Sequence, residues 1–114
     1  MSDVTMVALH QALSGLSARQ RTIADNIANL ETPEFLAGRV DFESSLASAL
    51  ADGDPSSATV SSTRSLAATG VNGNNVNLDE ETLTLIETDL RYQMTTQAVS
   101  NRFSLLRTAI GGGA

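Results

Sequence analysis

The residues best placed to do specific chemistry in this chain are two asparagines, Asn26 and Asn29, which lie three positions apart near the end of a helical pattern. Ile23 and Ile27 recur beside them on one face of the predicted helix. Pro33 holds the residue before it in an extended conformation, so the helix is predicted to end near Asn29. A carboxamide both donates and accepts hydrogen bonds, and a helix end leaves backbone groups without partners. We therefore expect these two side chains to bind groups that arrive from outside the helix, and a neighbouring subunit could supply them.

Side chains that catalyse reactions or hold cofactors are not grouped in the sequence. The one histidine, His10, has no accompanying cluster of metal ligands, and the chain has no cysteine. The run Asp52-Gly53-Asp54 resembles part of a calcium loop but lacks the later ligands and the closing glutamate, which favours a flexible turn. No glycine-rich loop ends in Lys-Ser or Lys-Thr, as a phosphate-binding loop does. The sequence therefore predicts a protein that is not an enzyme and has no cofactor, no metal site and no small-molecule substrate.

Length and composition set limits on the fold and on the partners. The chain has 114 residues, which is one domain at most, and only 4% of them are aromatic, so we expect an isolated subunit to be marginally stable. The formal net charge is −6 and every basic residue is arginine, which argues against nucleic acid and anionic membranes as partners. No apolar run is long enough to span a bilayer, and the N-terminus lacks the features of a cleaved signal peptide. Export, if it occurs, is expected to leave the N-terminus uncut.

The asparagines belong to a long heptad pattern that predicts a helix over about residues 3–29. Its apolar positions alternate in steps of three and four, as in a coiled-coil seam. Gly15 weakens this helix by about 1 kcal/mol relative to alanine and would permit the close approach of a neighbour. Gln20 is the one polar residue of the seam, and it fits either a tolerated wet position or a device that sets the register of an oligomer. The seam consists of Met6, Leu9, Leu13, Leu16, Gln20, Ile23, Ile27 and Leu30.

The middle of the chain carries weaker signals. Residues 34–51 form a short amphipathic segment, in which Val40 and Phe42 alternate as in a strand and Phe42, Leu46 and Leu50 predict a helix from about residue 42 to residue 51. Residues 52–76 are rich in Gly, Ser, Thr, Ala and Asn and poor in bulky side chains. We expect this segment to be a flexible linker that is disordered in the free subunit.

A second long helix is predicted over about residues 78–110. Asn77 as N-cap and Glu80 three residues later form a capping box, and Gly111 follows the last apolar position. The helix carries two apolar stripes, which predict contact with two neighbours and therefore an assembly. One stripe contains Leu85, Tyr92, Val99, Phe103, Leu106 and Ile110, and the other contains Leu83, Ile86, Leu90, Met94, Ala98 and Leu105.

These patterns predict a mainly α-helical protein. Its N- and C-terminal helices would form a coiled-coil-like hairpin or an inter-subunit bundle, with a short central helix or strand and a disordered middle. The predicted segments are 1–33 for the N-terminal helix and junction, 34–51, 52–76, and 77–114 for the C-terminal helix. One alternative is a helix-turn-helix over residues 19–27, although the acidic surroundings do not favour DNA binding.

Five sequence segments resemble the bacterial flagellar rod and hook family, most closely its proximal-rod proteins. They occur in the order found in that family and reach both ends of the chain. Glu34 departs from the pattern, because the family usually has glycine after the Thr-Pro pair. The segments are residues 24–33 (ADNIANLETP), 40–46 (VDFESSL), 74–81 (NNVNLDEE), 90–93 (LRYQ) and 103–110 (FSLLRTAI).

The resemblance implies a structural subunit of the flagellar basal body, located in the periplasmic rod region and exported by the flagellar type III apparatus without a cleaved signal peptide. The implied partners are other flagellar rod proteins, components of the MS ring and export gate, and copies of the chain itself. Another proximal-rod subunit and a general helical adaptor remain alternatives. We expect an assembly interface composed of Leu9, Leu13, Leu16, Ile23, Asn26, Ile27, Asn29, Leu83, Leu90, Tyr92, Met94, Val99, Phe103, Leu106 and Ile110.

Overall fold

The computed structural model describes the backbone of residues 2–111 and the side chains of residues 4–111. It is mainly helical. The elements are α1 (Ser2–Ala28), β1 (Gly38–Asp41), α2 (Glu43–Ala51), a 3-10 turn (Pro55–Ser57), β2 (Ser61–Arg64) and α3 (Leu78–Ile110). The two long helices and the short central helix agree with the predicted ranges to within a residue or two.

The long helices α1 and α3 pack against each other in opposite directions. The Gln20 side chain donates a hydrogen bond to Asp89 Oδ1 at 2.7 Å, and Asn26, further along α1, donates to Glu81, which is earlier in α3. Gln20 thus bridges the two helices of one chain. The molecule is elongated, with extents of 65 × 28 × 14 Å.

Both ends of α3 carry the predicted signals. The Asn77 side chain accepts a hydrogen bond from the Glu80 N–H at 3.1 Å, which satisfies one of the free amides at the start of the helix. Three acidic residues lie in the first turn and Arg107 in the last, the order that the helix dipole favours. Gly111 caps the C-terminal end.

A small apolar core lies where α2 and β1 meet α1. Leu16 and Ile23 of the seam are buried, together with Ala37, Phe42 and Ala49. Gly15 faces Phe42 so closely that a β-carbon on Gly15 would lie 2.3 Å from two ring atoms. The close approach predicted for Gly15 is therefore made by a side chain of the same chain.

The middle segment differs from the predicted disorder. Residues 61–64 form β2, which pairs antiparallel with β1 in the register Gly38 with Arg64 and Asp41 with Ser61. The segment has few bulky apolar side chains, as the composition indicates, but it is held by backbone pairing and by buried asparagines. Polar anchors of this kind leave no trace in an apolar pattern.

Candidate functional site: the junction at the end of α1

The carboxamide of Asn26 lies at the centre of a junction between α1, β1 and α3. The side chain is fully buried. Its Oδ1 accepts a hydrogen bond from the Gly38 N–H at 2.8 Å, and its Nδ2 donates to the Gly38 carbonyl at 3.0 Å and to the Glu81 carboxylate. One side chain thereby joins the end of a helix to the first residue of a strand and to the start of another helix.

Glu81 brings a buried carboxylate into this junction. Its side chain is almost fully buried, and its two oxygens accept hydrogen bonds from Arg39 Nη1 at 3.1 and 3.3 Å. Arg39 Nη1 also donates to the Gly38 carbonyl at 2.9 Å. Burying a carboxylate is costly unless it is paired with a positive charge and hydrogen-bonded. Here Arg39 supplies the charge, and both Arg39 and the Asn26 amide donate hydrogen bonds.

Close packing at the junction depends on Gly38. A β-carbon at this position would lie 2.8 Å from Thr22 Cγ2 on α1. Glycine therefore lets the β1 backbone reach the Asn26 carboxamide, because any larger residue would push the strand away from the helix.

Two further asparagines, Asn74 and Asn75, close the junction from the other side. Asn74 Nδ2 donates to the carbonyls of Asn29 and Thr32, each at 2.8 Å, and so ties residues 74–75 to the turn that follows α1. Asn75 Oδ1 accepts from the Ala37 N–H at 2.7 Å, and its Nδ2 donates to carbonyls in the loop after β2. Both side chains are buried.

The turn after Pro33 contains Glu34, which adopts the left-handed backbone region with φ of 61°. Its N–H donates to the Asn72 carbonyl at 2.9 Å, and a β-carbon on the neighbouring Gly73 would lie 3.3 Å from its Cα. The tight turn therefore forms although glycine is absent. The conformation costs a residue with a β-carbon about 1–2 kcal/mol.

The hydrogen bonds of Asn26 and Asn29 in this structure are made within the chain, and their place in an assembly interface stays a prediction. Asn26 finds all its partners in its own chain. Asn29 makes local bonds, with its Nδ2 donating to the Asp25 carbonyl at 2.8 Å and its Oδ1 accepting from the Thr32 hydroxyl at 3.0 Å. Neither the sequence spacing nor the helix pattern indicates that the chain returns to this point through residues 38, 74 and 81.

A second polar cluster lies about two turns earlier along α1, around Arg19. Arg19 donates to the Glu43 carboxylate at 2.6 and 2.8 Å and to the Val40 carbonyl at 2.8 Å, and its guanidinium lies 5.0 Å from the centre of the Phe42 ring. This hydrogen bonding lowers the pKa of Glu43 to about 2 and raises the pKa of Arg19. Arg91 on α3 also reaches Glu43, at 3.5 Å.

The low pKa of Glu43 predicts a pH-dependent contribution to stability. Its folded pKa of about 2 lies below the usual value of 4.5, so the contribution is complete above pH 4.5 and is lost as the pH falls towards 2. We expect Glu43→Gln to lower the free energy of unfolding by about 1 kcal/mol at pH 7, because Glu43 is half exposed and solvent screens the pair. Urea denaturation of the wild type and the variant from pH 7 to pH 2 should show that the difference in their free energies of unfolding shrinks as the pH falls below 4.5. A difference independent of pH would contradict the assignment.

The predicted interface residues fall into three groups. Asn26, Leu16 and Ile23 are buried within the chain, whereas the others on α1 are half-buried. Tyr92, Val99 and Leu106 of α3 are also half-buried. The third group is exposed, with 56% or more of each residue accessible, and consists of Leu83, Leu90, Met94, Phe103 and Ile110.

Three members of the exposed group, Leu83, Leu90 and Met94, form with Ile86 a continuous stripe on α3, which we call the outer stripe. Their exposures lie between 56% and 64%, and their spacing of three and four residues places them on one face. Contiguous apolar surface of this kind usually marks a site of protein association.

The described residues offer little for other kinds of chemistry. No group of three or more metal-ligating residues within them could hold a metal ion. None of the described helices combines the length and apolar character needed to cross a membrane. The helix-turn-helix alternative lacks its turn, because residues 19–27 lie inside the uninterrupted helix α1.

Comparison with known proteins identifies the family. A family model described as "Flagella basal body rod protein" matches residues 8–35, which run from the seam of α1 to the turn after Pro33. The flagellar basal body rod protein FlgB of Bacillus subtilis is 32% identical, over 96% of this chain and 95% of that protein. The chain belongs to the FlgB family of flagellar basal body rod proteins. FlgB proteins of Borreliella burgdorferi (29% identical, 89% of this chain, 91% of that protein) and Escherichia coli (26%, 97% and 96%) also match.

The long matches to FlgB proteins separate two of the alternatives considered from the sequence. They cover the middle segment as well as both long helices, so the likeness does not rest on the rod motif of α1 alone. The FlgB family therefore takes the place of a general helical adaptor as the class of protein to which this chain belongs. It also favours FlgB over another proximal-rod subunit.

Proposed function

We propose that this chain is a structural subunit of the proximal rod of the bacterial flagellar basal body. It leaves the cytoplasm through the flagellar type III apparatus without a cleaved signal peptide, and it is built into the rod by helix packing. Its partners are other rod proteins, components of the MS ring and export gate, and copies of itself. The observation that carries this proposal is the outer stripe of α3. It is exposed, whereas the polar groups of the junction around Asn26 find their hydrogen-bond partners within the chain.

The small core supports a subunit that is completed by assembly. The buried apolar residues, among those described, are Leu16, Ile23, Ala37, Phe42 and Ala49, and two of these are alanines. Fully burying one large apolar side chain stabilises a protein by about 1.5–3 kcal/mol, so three large residues supply little. Burial of the outer stripe against a neighbour would add four large side chains to the three that the core contains.

The division of polar and apolar groups supports helix packing as the means of assembly. The junction around Asn26 uses its hydrogen bonds inside the chain and fixes α1 against α3. The outer stripe of α3 is exposed, and its ends, Leu83 and Met94, border clefts that α3 shares with α1. A rigid pair of helices with one apolar face uncovered is suited to a coiled-coil-like bundle between subunits.

A complementation experiment tests the proposal. Leu90→Asp should fail to restore swimming to a strain that lacks this gene, because a carboxylate would be buried in the subunit contact, whereas the free subunit keeps its fold. Ser100→Asp is the matched control, since it puts the same charge on an exposed position of the same helix. Swimming should be measured in soft agar and folding by circular dichroism. Normal swimming of the Leu90 variant, or of the deletion strain, would contradict the proposal.

A further inference from the structure

The last turn of α3 extends beyond the helix against which α3 packs. The two helices are aligned at the junction end, where Asn26 near the end of α1 bonds to Glu81 near the start of α3. Helix α3 has 33 residues and α1 has 27, and the Asn26–Glu81 and Gln20–Asp89 bonds set their register, so about one turn at the C-terminal end of α3 lies beyond the start of α1.

This C-terminal end exposes apolar side chains on more than one side. Phe103, Leu105 and Ile110 are 59%, 65% and 86% exposed. Leu105 lies on the face of the outer stripe, whereas Phe103 and Ile110 lie on the other side, given 100° of rotation per residue. A helix that is apolar on several sides is normally surrounded by other chains or elements.

The charges of α3 are divided between its two halves. All its acidic residues precede Leu90, and all its basic residues follow it. Glu80 lies three residues before Leu83, and Glu87 lies three residues before Leu90, so both glutamates flank the outer stripe. Within the described part of the chain, neither these two glutamates nor Arg107 belongs to an ion pair. The stripe therefore has an acidic border, and the C-terminal end of the helix is basic.

We infer that the C-terminal end of α3 (residues 103–110) of one copy docks on the outer stripe of a second copy, with Arg107 opposite Glu80 and Glu87. This contact rests on the proposed function and specifies how copies meet. It joins two different surfaces, so each copy keeps one free end and one free stripe, and the copies form an open stack with a direction. A two-fold pairing of α3 helices would cover Leu105 but leave Phe103 and Ile110 exposed.

Disulfide crosslinking tests the contact, because the chain has no cysteine of its own. Purified full-length Glu87→Cys and Arg107→Cys chains should form a linked dimer when they are mixed and oxidised, and neither should link when alone. His10→Cys, on an exposed position of α1, serves as the control and should not link to either. Self-linking of Met94→Cys chains would show a two-fold contact and overturn the inference, as would the absence of links in the mixture at a concentration where the wild-type chain associates.

Charge reversal provides an independent measurement on the same contact. Arg107→Glu should weaken self-association, measured by sedimentation, about fivefold, since exposed ion pairs have modest energies. Glu87→Arg should do the same, and the chain with both changes should associate nearly as well as the wild type. Failure of this restoration would overturn the inference. The proposed function fails separately, if a strain that lacks the gene still swims.

Discussion

Replacing Asn26 with alanine is expected to lower the free energy of unfolding by about 3 kcal/mol. The substitution removes the acceptor of the Gly38 N–H, one donor to the Gly38 carbonyl and one donor to the Glu81 carboxylate. A buried polar group that loses its partner costs about 1–3 kcal/mol, and more when the group is charged. In a protein with so small an apolar core, a loss of this size should unfold most of the isolated subunit.

Asn29→Ala is the matched control for this prediction. It makes the same change three residues away, just after the end of α1, where the side chain has only local and exposed hydrogen bonds. We expect its effect to stay below about 1 kcal/mol, measured by urea denaturation followed by circular dichroism. If the two alanine variants unfold at the same urea concentration, the junction around Asn26 does not hold the long helices together.

Replacing Gly15 with alanine is expected to destabilise the protein by about 2–3 kcal/mol, although alanine is the better helix former. The new β-carbon would lie 2.3 Å from Cγ and Cδ1 of Phe42, so the ring or the helix must move. Overfilling a packed site costs about 1–3 kcal/mol, and the clash here is too short for small adjustments to relieve. This cost exceeds the gain of about 1 kcal/mol in helix propensity.

The sign of the effect should reverse when the ring is removed. In a Phe42→Ala background, Gly15→Ala should stabilise the protein by up to about 1 kcal/mol, because only the helix propensity remains. Sucrose can be added to keep every variant folded, and Ser14→Ala, on an exposed position of the same helix, controls for propensity alone. A destabilising Gly15→Ala in both backgrounds would show that Phe42 is not the group that it meets.

The long helices could be predicted because local signals specify them. The seam of α1 repeats without interruption, Asn77 and Glu80 mark the start of α3, and Pro33 marks the end of α1. Such signals lie within a few residues of the structure that they determine, so a single sequence carries them in full. The two stripes of α3 likewise predict two faces: Leu85, Tyr92, Val99 and Leu106 of the first are half-buried, and Leu83, Ile86, Leu90 and Met94 of the second are exposed.

The polar junction could not be predicted, since its partners are far apart in sequence. Asn26 meets Gly38 and Glu81, and Asn74 meets the carbonyls of Asn29 and Thr32. An asparagine can satisfy any backbone group, so its type does not indicate which one it will find. For the same reason the middle segment seemed to lack anchors, although Asn74 and Asn75 hold it in place.

The central claim is that this chain enters the flagellar rod through the outer stripe of α3. The most direct measurement is the amount of the chain in isolated basal bodies, determined by quantitative immunoblotting from strains that export the wild type, Leu90→Asp or Ser100→Asp. We predict that the wild type and the Ser100 variant are present in equal amounts and that the Leu90 variant is absent although it is exported. Absence of the wild-type chain, or equal amounts of all three, would contradict the claim.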